Sequence, residues 1–168
     1  MRDNSLEIRP IIEKDLEEVL EVYQQSEDFL ALGPEPRASM AMVLQDIEVS
    51  RHENGVFCGV YTSDGKMIGV VDFIPADFKG MVHAGFISLL MIVAPLRNQG
   101  IGTRILELVE DRIMKIGQVS EIHTAVQLNN PAALRFWRRN NYCAFGDPEL
   151  RPDQTLVSYL RKDLSISD

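Results

Sequence analysis

Arg97-Asn98-Gln99-Gly100-Ile101-Gly102 is the stretch whose residue types and spacing could do chemistry. It follows the apolar run ISLLMIVAP and precedes TRILELVEDRIMKIG, which has the period of a helix. The start of a helix leaves backbone N–H groups without internal partners and carries partial positive charge. Glycine lets a bulky anion come close to those donors, so Gly100 and Gly102 suit a phosphate, and Arg97 would add a charged, bidentate donor at the mouth. A plain tight turn between strand and helix would use the same glycines, and G-x-G alone does not choose between the two. A dinucleotide fingerprint needs a third small residue for close helix–strand packing, and that position is Ile105. Glu121 lies near the distance of a ribose-binding acid but opens its strand, where such an acid belongs at a strand's end. A Walker loop fails because no Gly-Lys-Ser/Thr follows.

The elements that must position this loop can be read from periodicity. LEIRPI predicts a first strand, and EKDLEEVLEVYQQ a helix with Leu16, Val19, Leu20 and Tyr23 on one stripe. Ile12 stands at the expected N-cap and cannot cap with its side chain. FLALGPEPRAS reads as a loop, and Met40–His52 as a helix with Met40, Val43, Leu44 and Ile47 inward. GVFCGVYT and KMIGVVDF form a hairpin around Asp64-Gly65. PADFKGMVHAG is a second loop, and FISLLMIVA a continuous apolar strand expected to be buried on both faces. The long helix after the loop carries Ile101, Ile105, Leu108, Val109, Ile113 and Ile116, with Gly117 as its C-terminal cap. EIHTAVQL is a strand, PAALRFWRRN a helix with proline at its first position, and YCAFG and TLVSYLRK close the chain as strands. The order β, α, α, β, β, β, α, β, α, β, β predicts a mixed α/β sheet, with a hairpin-built half and a crossover-built half.

Composition narrows the partners. The 168 residues suggest one domain, with 45% hydrophobic and 25% charged residues, ordinary for a globular protein. The net charge of −8 argues against nucleic acid or an anionic membrane surface as partner. No apolar run approaches the roughly 20 residues that span a bilayer, and MRDNSLEIRP has no signal core, so a cytoplasmic location is expected. Cys58 and Cys143 are expected to be small buried hydrophobes, and His52, His83 and His123 lack metal-ligand spacing.

Two segments together carry a family resemblance. Arg97-x-x-Gly100-x-Gly102 at the start of a long helix resembles the acetyl-CoA pyrophosphate loop of the GCN5-related N-acetyltransferases. Asn130-x-x-Ala133-x-x-Phe136-Trp137 resembles the same family's N-x-x-A-x-x-[LF]-Y-x-x-x-G-F, and the spacing from Asn130 to Tyr142 fits without a gap. The resemblance is specific over the stretch from Phe86 to Tyr142 and looser over the first half of the chain. The resemblance implies one domain over residues 1–168 with this family's fold, its central strands splayed. It implies acetyl-CoA as cosubstrate, no metal, and a primary amine of a small molecule or a protein as acceptor, attacked directly in a ternary complex. A homodimer is common in the fold.

Carried over by residue, the resemblance implies that Leu90, Met91 and Ile92 supply a strand edge against which pantetheine lies, with the Ile92 N–H aimed at the thioester oxygen. Arg97, Asn98, Gln99, Gly100, Ile101, Gly102 and Thr103 would hold the pyrophosphate, chiefly through backbone N–H groups. Asn130 would reach the pantetheine arm and Ala133 would keep the helix surface low beside it. Phe136 would pack near the cofactor or in the core. Trp137 stands where the family usually has a tyrosine that protonates the leaving thiolate. Indole can donate a hydrogen bond but is no useful acid, so a non-catalytic acyl-CoA-binding module is the rival expectation. Tyr142 occupies the family's buried aromatic position, and Asn141 replaces a glycine where a left-handed residue is needed. For a base the sequence offers Asp72 and His123. The two predicted loops border the acceptor side.

Overall fold

In the computed structural model, which describes residues 5–165, the elements in chain order are β1 (Leu6–Pro10), α1 (Leu16–Gln24), α2 (Glu27–Leu30), α3 (Met40–His52), β2 (Val56–Thr62), β3 (Met67–Ile74), β4 (Ala84–Ile92), α4 (Ile101–Gly117), β5 (Glu121–Gln127), α5 (Pro131–Arg139), β6 (Cys143–Ala144), β7 (Glu149–Leu150) and β8 (Leu156–Asp163). The predicted order is present, with α2 and β7 added; both are too short to show a period. The sheet runs β1-β2-β3-β4-β5-β8-β6, with β7 also on β8. Every pairing is antiparallel except β4 with β5, which is parallel because α4 crosses over between them. This mixed open sheet is the expected α/β fold. No helix among the described residues is long and apolar enough to cross a membrane.

Helices cover both faces. Cys58 pairs with Val71 and Phe57 with Asp72, so the two pairs point to opposite sides of the pleat. Asp72 turns to α3, where Ser50 meets it. On the other face α4 buries Ile105, Leu106, Val109 and Ile113. Cys58 lies on that side, and burial pushes its thiol up to about 12.

Several sequence expectations are corrected. Leu44, Leu108 and Ile116 are exposed rather than inward. In α3 the inward line is Val43, Ile47 and Ser50 with Asp46 beside them, so two positions that periodicity gives to apolar residues hold partnered polar ones. In α4 Leu108 lies on the flank opposite Leu106, and Ile116 falls in the final turn. Cys143 is exposed, on the short strand β6. The left-handed cap of α4 is Gln118, at φ 52°, and Gly117 is the last helical residue. Ile12 caps through its backbone, its N–H donating to Asp15 Oδ2 at 2.9 Å. Asn141 is left-handed as expected, at φ 69°.

Candidate active site

The strand FISLLMIVA is not buried on both faces throughout, and the reason makes the site. β4 and β5 are paired only from Ala84–Glu121 to Ile87–Thr124. Beyond Ile87 the strands part. The β3–β4 register shifts at the same place, with Asp72 opposite Leu89 and Phe73 opposite Ile87, so Ser88 is the extra residue of a bulge. Ser88 is exposed, and Leu89, Leu90 and Ile92 are half-buried. Thr124 donates its hydroxyl to the Ile87 carbonyl at 2.8 Å, closing the last rung before the gap.

Which backbone groups face that gap follows from alternation. Val93 N–H donates to Ile68 O of β3 at 3.0 Å. Residues two apart share a direction, so the Met91 N–H also points at β3, while those of Leu90 and Ile92 point away from it. Met91 therefore cannot offer the edge that the sequence assigned to Leu90, Met91 and Ile92 together; its side chain is buried as well.

A cavity of about 460 Å³ opens at the gap. Leu90, Asn130, Ala133 and Trp137 of the expected residues line it. Met91, Ile92, Phe136 and the loop 97–103 do not. Phe29 and Lys79 place both predicted loops on its rim. A second cavity of about 450 Å³ adjoins it and shares Phe29, Asp46 and Gln127.

The glycine loop lies at the far end of β4. Asn98 at φ 60° and Gly100 at φ 77° turn the chain into α4. A Cβ at Gly100 would meet nothing within 4 Å, so the helix start is open to an incoming anion. Gly102 has a different reason: a Cβ there would stand 2.9 Å from Phe136 Cε2. Its missing side chain lets α5 pack against the start of α4, and Phe136 is thereby a packing residue. Arg97 does not present its guanidinium to the loop. Its Nε donates to Ile92 O at 2.8 Å, and Nη1 and Nη2 donate to Asp28 at 2.5 and 3.1 Å. Those bonds hold the Asp28 carboxyl below the usual carboxylate range.

α5 supplies the opposite wall. Pro131 begins it, and Asn130 caps it by accepting from Ala133 N–H at 3.0 Å. The NH2 half of the Asn130 amide is then what can serve a ligand. Trp137 is buried edge-on against Phe136 and Tyr142, with centroids 5.3 and 4.9 Å away. The Tyr142 hydroxyl donates to Glu110 Oε1 at 2.9 Å, and Lys162 binds the same carboxylate. Burial, with the Glu110 charge beside it, pushes the Tyr142 phenol up, so it is a core residue with a committed proton.

Of the two sequence candidates for a base, only Asp72 lines the cavity. Its carboxylate accepts from Ser50 Oγ and Ser88 Oγ, each at 2.6 Å. Burial raises its pKa against the pull of those two bonds, and the charges of Glu53 and Asp46 add to the rise. His123 is buried between Phe78 and Phe145, outside the cavity. Its Nε2 comes within 3.1 Å of Glu121 Oε1 but off the line a hydrogen bond needs. Sequence reasoning missed Ser88, Asp46 and Thr124. The polar Ser88 inside an apolar strand run was the one available signal.

An unpaired strand edge, an open helix start and a small-residue wall at Ala133 fit an acyl-CoA thioester with its pantetheine and pyrophosphate. Comparisons with known proteins agree. N-alpha-acetyltransferase 30 of Schizosaccharomyces pombe is 30% identical over 94 residues, 56% of this chain. That match covers 62% of the relative, so the chain spans less than two thirds of this curated protein's length. An acetyltransferase from Thermus thermophilus has the same fold, with a TM-score of 0.81 at 18% identity over 98% of this chain and 100% of that one. Spermidine N-acetyltransferase from Vibrio cholerae, solved with CoA and spermine, gives 0.73 at 16% identity over 95% and 96% of the two chains. The model of the acetyltransferase (GNAT) family matches residues 16–142, and the chain belongs to that family.

Proposed function

We propose that the chain works as a single N-acetyltransferase domain that moves the acetyl group of acetyl-CoA to a primary amine by direct attack in a ternary complex. The observation that carries this is the parting of β4 from β5 beyond Ile87, which leaves the Leu90 and Ile92 N–H groups, turned away from β3, without a partner strand, Leu90 at the cavity. Pantetheine lies along that edge. The start of α4, from Arg97 through Thr103, receives the pyrophosphate on backbone N–H groups, and Asn130 serves the arm from the other wall. The oxyanion donor assigned from sequence was the Ile92 N–H. Leu90 lies in the cavity and Ile92 outside it, so the Leu90 N–H is the better placed of the two. Losing such a donor costs roughly 3–4 kcal/mol in comparable sites. Amine and thioester held in line need little further ordering. The thiolate leaves without a dedicated acid, since a thiol pKa of about 8.5 makes it a tolerable leaving group near neutral pH.

The test is CoA thiol release from acetyl-CoA over a panel of polyamines, amino acids, aminoglycosides and peptides. Acceptor-dependent release is expected. Tight acetyl-CoA binding with no release under any acceptor supports the second reading, an acyl-CoA-binding module. That reading draws on Trp137 in the tyrosine position and on Tyr142, whose hydroxyl is bonded to Glu110.

Trp137→Phe separates packing from chemistry. The smaller ring removes part of a buried aromatic stack, so stability should fall by about 1–2 kcal/mol. Turnover should stay within a few-fold of wild type. A drop of 100-fold in kcat with acetyl-CoA affinity intact would give the indole a direct part in the reaction.

A further inference from the structure

An amine held as ammonium cannot attack until it loses a proton, and the reaction proposed above names no group to take it. Ser88 is the bulge residue of β4, exposed at the cavity and two residues from Leu90. Its hydroxyl donates to Asp72 Oδ2 at 2.6 Å. The other carboxylate oxygen accepts from Ser50 Oγ of α3, also at 2.6 Å, so the group is held from both sides. We propose that Ser88 and Asp72 form a proton relay that deprotonates the acceptor's ammonium, Ser88 touching the amine and Asp72 taking the proton through it.

The inference rests on the amine-acetylation reading. In the step, the ammonium N–H proton moves to Ser88 Oγ, and the Ser88 hydroxyl proton moves to Asp72 Oδ2. The freed nitrogen lone pair forms the C–N bond at the thioester carbonyl and the C–S bond breaks. The second nitrogen proton leaves with the thiolate as CoA thiol, and Asp72 returns its proton to solvent. No oxidant or further reactant enters.

The bulge gives the relay its geometry. Phe86 lies opposite Ile74 and Leu89 opposite Asp72, so the extra residue puts Ser88 beside Leu89 on the Asp72 side of the strand, at the cavity. The electrostatic surroundings suit the task. Burial and the charges of Glu53, just after α3, and Asp46 within it raise the affinity of Asp72 for a proton, while the two serine hydroxyls lower it. The remaining titratable groups that feel its charge are Tyr23 of α1 and Cys58 of β2, both held protonated by burial. A base works best when its pKa approaches the working pH, and a raised carboxyl moves in that direction.

The experiment uses two acceptor probes, an alkylamine (1,3-diaminopropane) and hydroxylamine, which is already neutral near pH 7. Asp72→Asn keeps the shape and can still meet both serines, accepting from one through its oxygen and donating to the other through its NH2; Ser88→Ala changes an exposed side chain. Acetyl-CoA affinity is measured by calorimetry alongside. With the alkylamine, kcat should fall by about 100-fold or more in both variants, the range that positioned proton transfer supplies. With hydroxylamine it should fall by less than about 5-fold, and acetyl-CoA affinity should hold. The wild-type pH profile with the alkylamine should lose activity as pH falls through the raised Asp72 pKa, and Asp72→Asn should lack that limb. Equal losses with both probes would make the pair structural and overturn the relay, as would no loss with either. A wild-type protein that acetylates neither probe, nor any amine of the panel, would sink the underlying acetyltransferase reading and the relay with it.

Discussion

Gly100→Glu is expected to weaken acetyl-CoA binding by at least about 100-fold, which is about 2.7 kcal/mol, while the protein stays folded. The residue sits at φ 77° just ahead of α4, and a Cβ there meets nothing within 4 Å. The new side chain therefore starts into open space. Its carboxylate stands over the N–H groups that begin α4, where it satisfies the helix dipole and repels a second anion. The backbone conformation costs the variant about 1–2 kcal/mol of stability, since a residue with a Cβ is strained there. Gly100→Gln carries the same strain without the charge. Calorimetric titration of both variants separates the two effects: the glutamine form should keep clearly more affinity than the glutamate form. Unchanged affinity in Gly100→Glu would remove the loop from the cofactor site.

Gly117→Ala is the variant with the largest expected loss of stability, and its sign opposes helix propensity. Gly117 ends α4 in ordinary helical conformation, so alanine alone should add about 1 kcal/mol. A Cβ at that position would lie 1.9 Å from the Pro75 carbonyl oxygen and 2.7 Å from its carbon. Both are backbone atoms just after β3, and neither can rotate away. Either the last turn of α4 lifts off or the segment after β3 moves, and the net loss should be at least about 3 kcal/mol. At roughly 2–4 °C per kcal/mol for a domain of this size, the melting temperature should drop by about 6–12 °C. Thermal unfolding followed by circular dichroism reads this directly. A rise in melting temperature would mean that α4 does not pack on Pro75 at that distance.

These two glycines show what the sequence could and could not convey. The turn at Gly100 was legible because its signals are local: an arginine, two glycines and a helix period lie within a few residues. The Asn130–Tyr142 segment was legible for the same reason. Gly117 was read as a cap, whereas Pro75, some forty residues earlier, is what demands a glycine there. Gly102 answers to Phe136 and Arg97 to Asp28, both distant in sequence. The strand edge was assigned to Leu90, Met91 and Ile92 together, but which of them face away from β3 depends on the pairing of β4 with β3. That pairing shifts at a bulge no local pattern announces. Asp72 and His123 share a face of the sheet, and what separates them is that Phe78 and Phe145 enclose His123, a contact only the folded chain makes. The inward Asp46 and Ser50 broke the apolar period of α3 because they have partners, Tyr23 and Asp72, which only the folded chain brings near.

The seam between β4 and β5 has a mechanical meaning. Four residue pairs join the two halves of the sheet, against seven between β5 and β8. The sheet is notched, and a notch concentrates opening stress at its tip. At that tip Thr124 stitches its hydroxyl onto the Ile87 carbonyl, and the bond is buried, where water cannot easily replace it. The notch can therefore stand open for its whole length without running on into the sheet. The slot between the hairpin half and the crossover half is thus part of the folded chain itself, open beyond that tip.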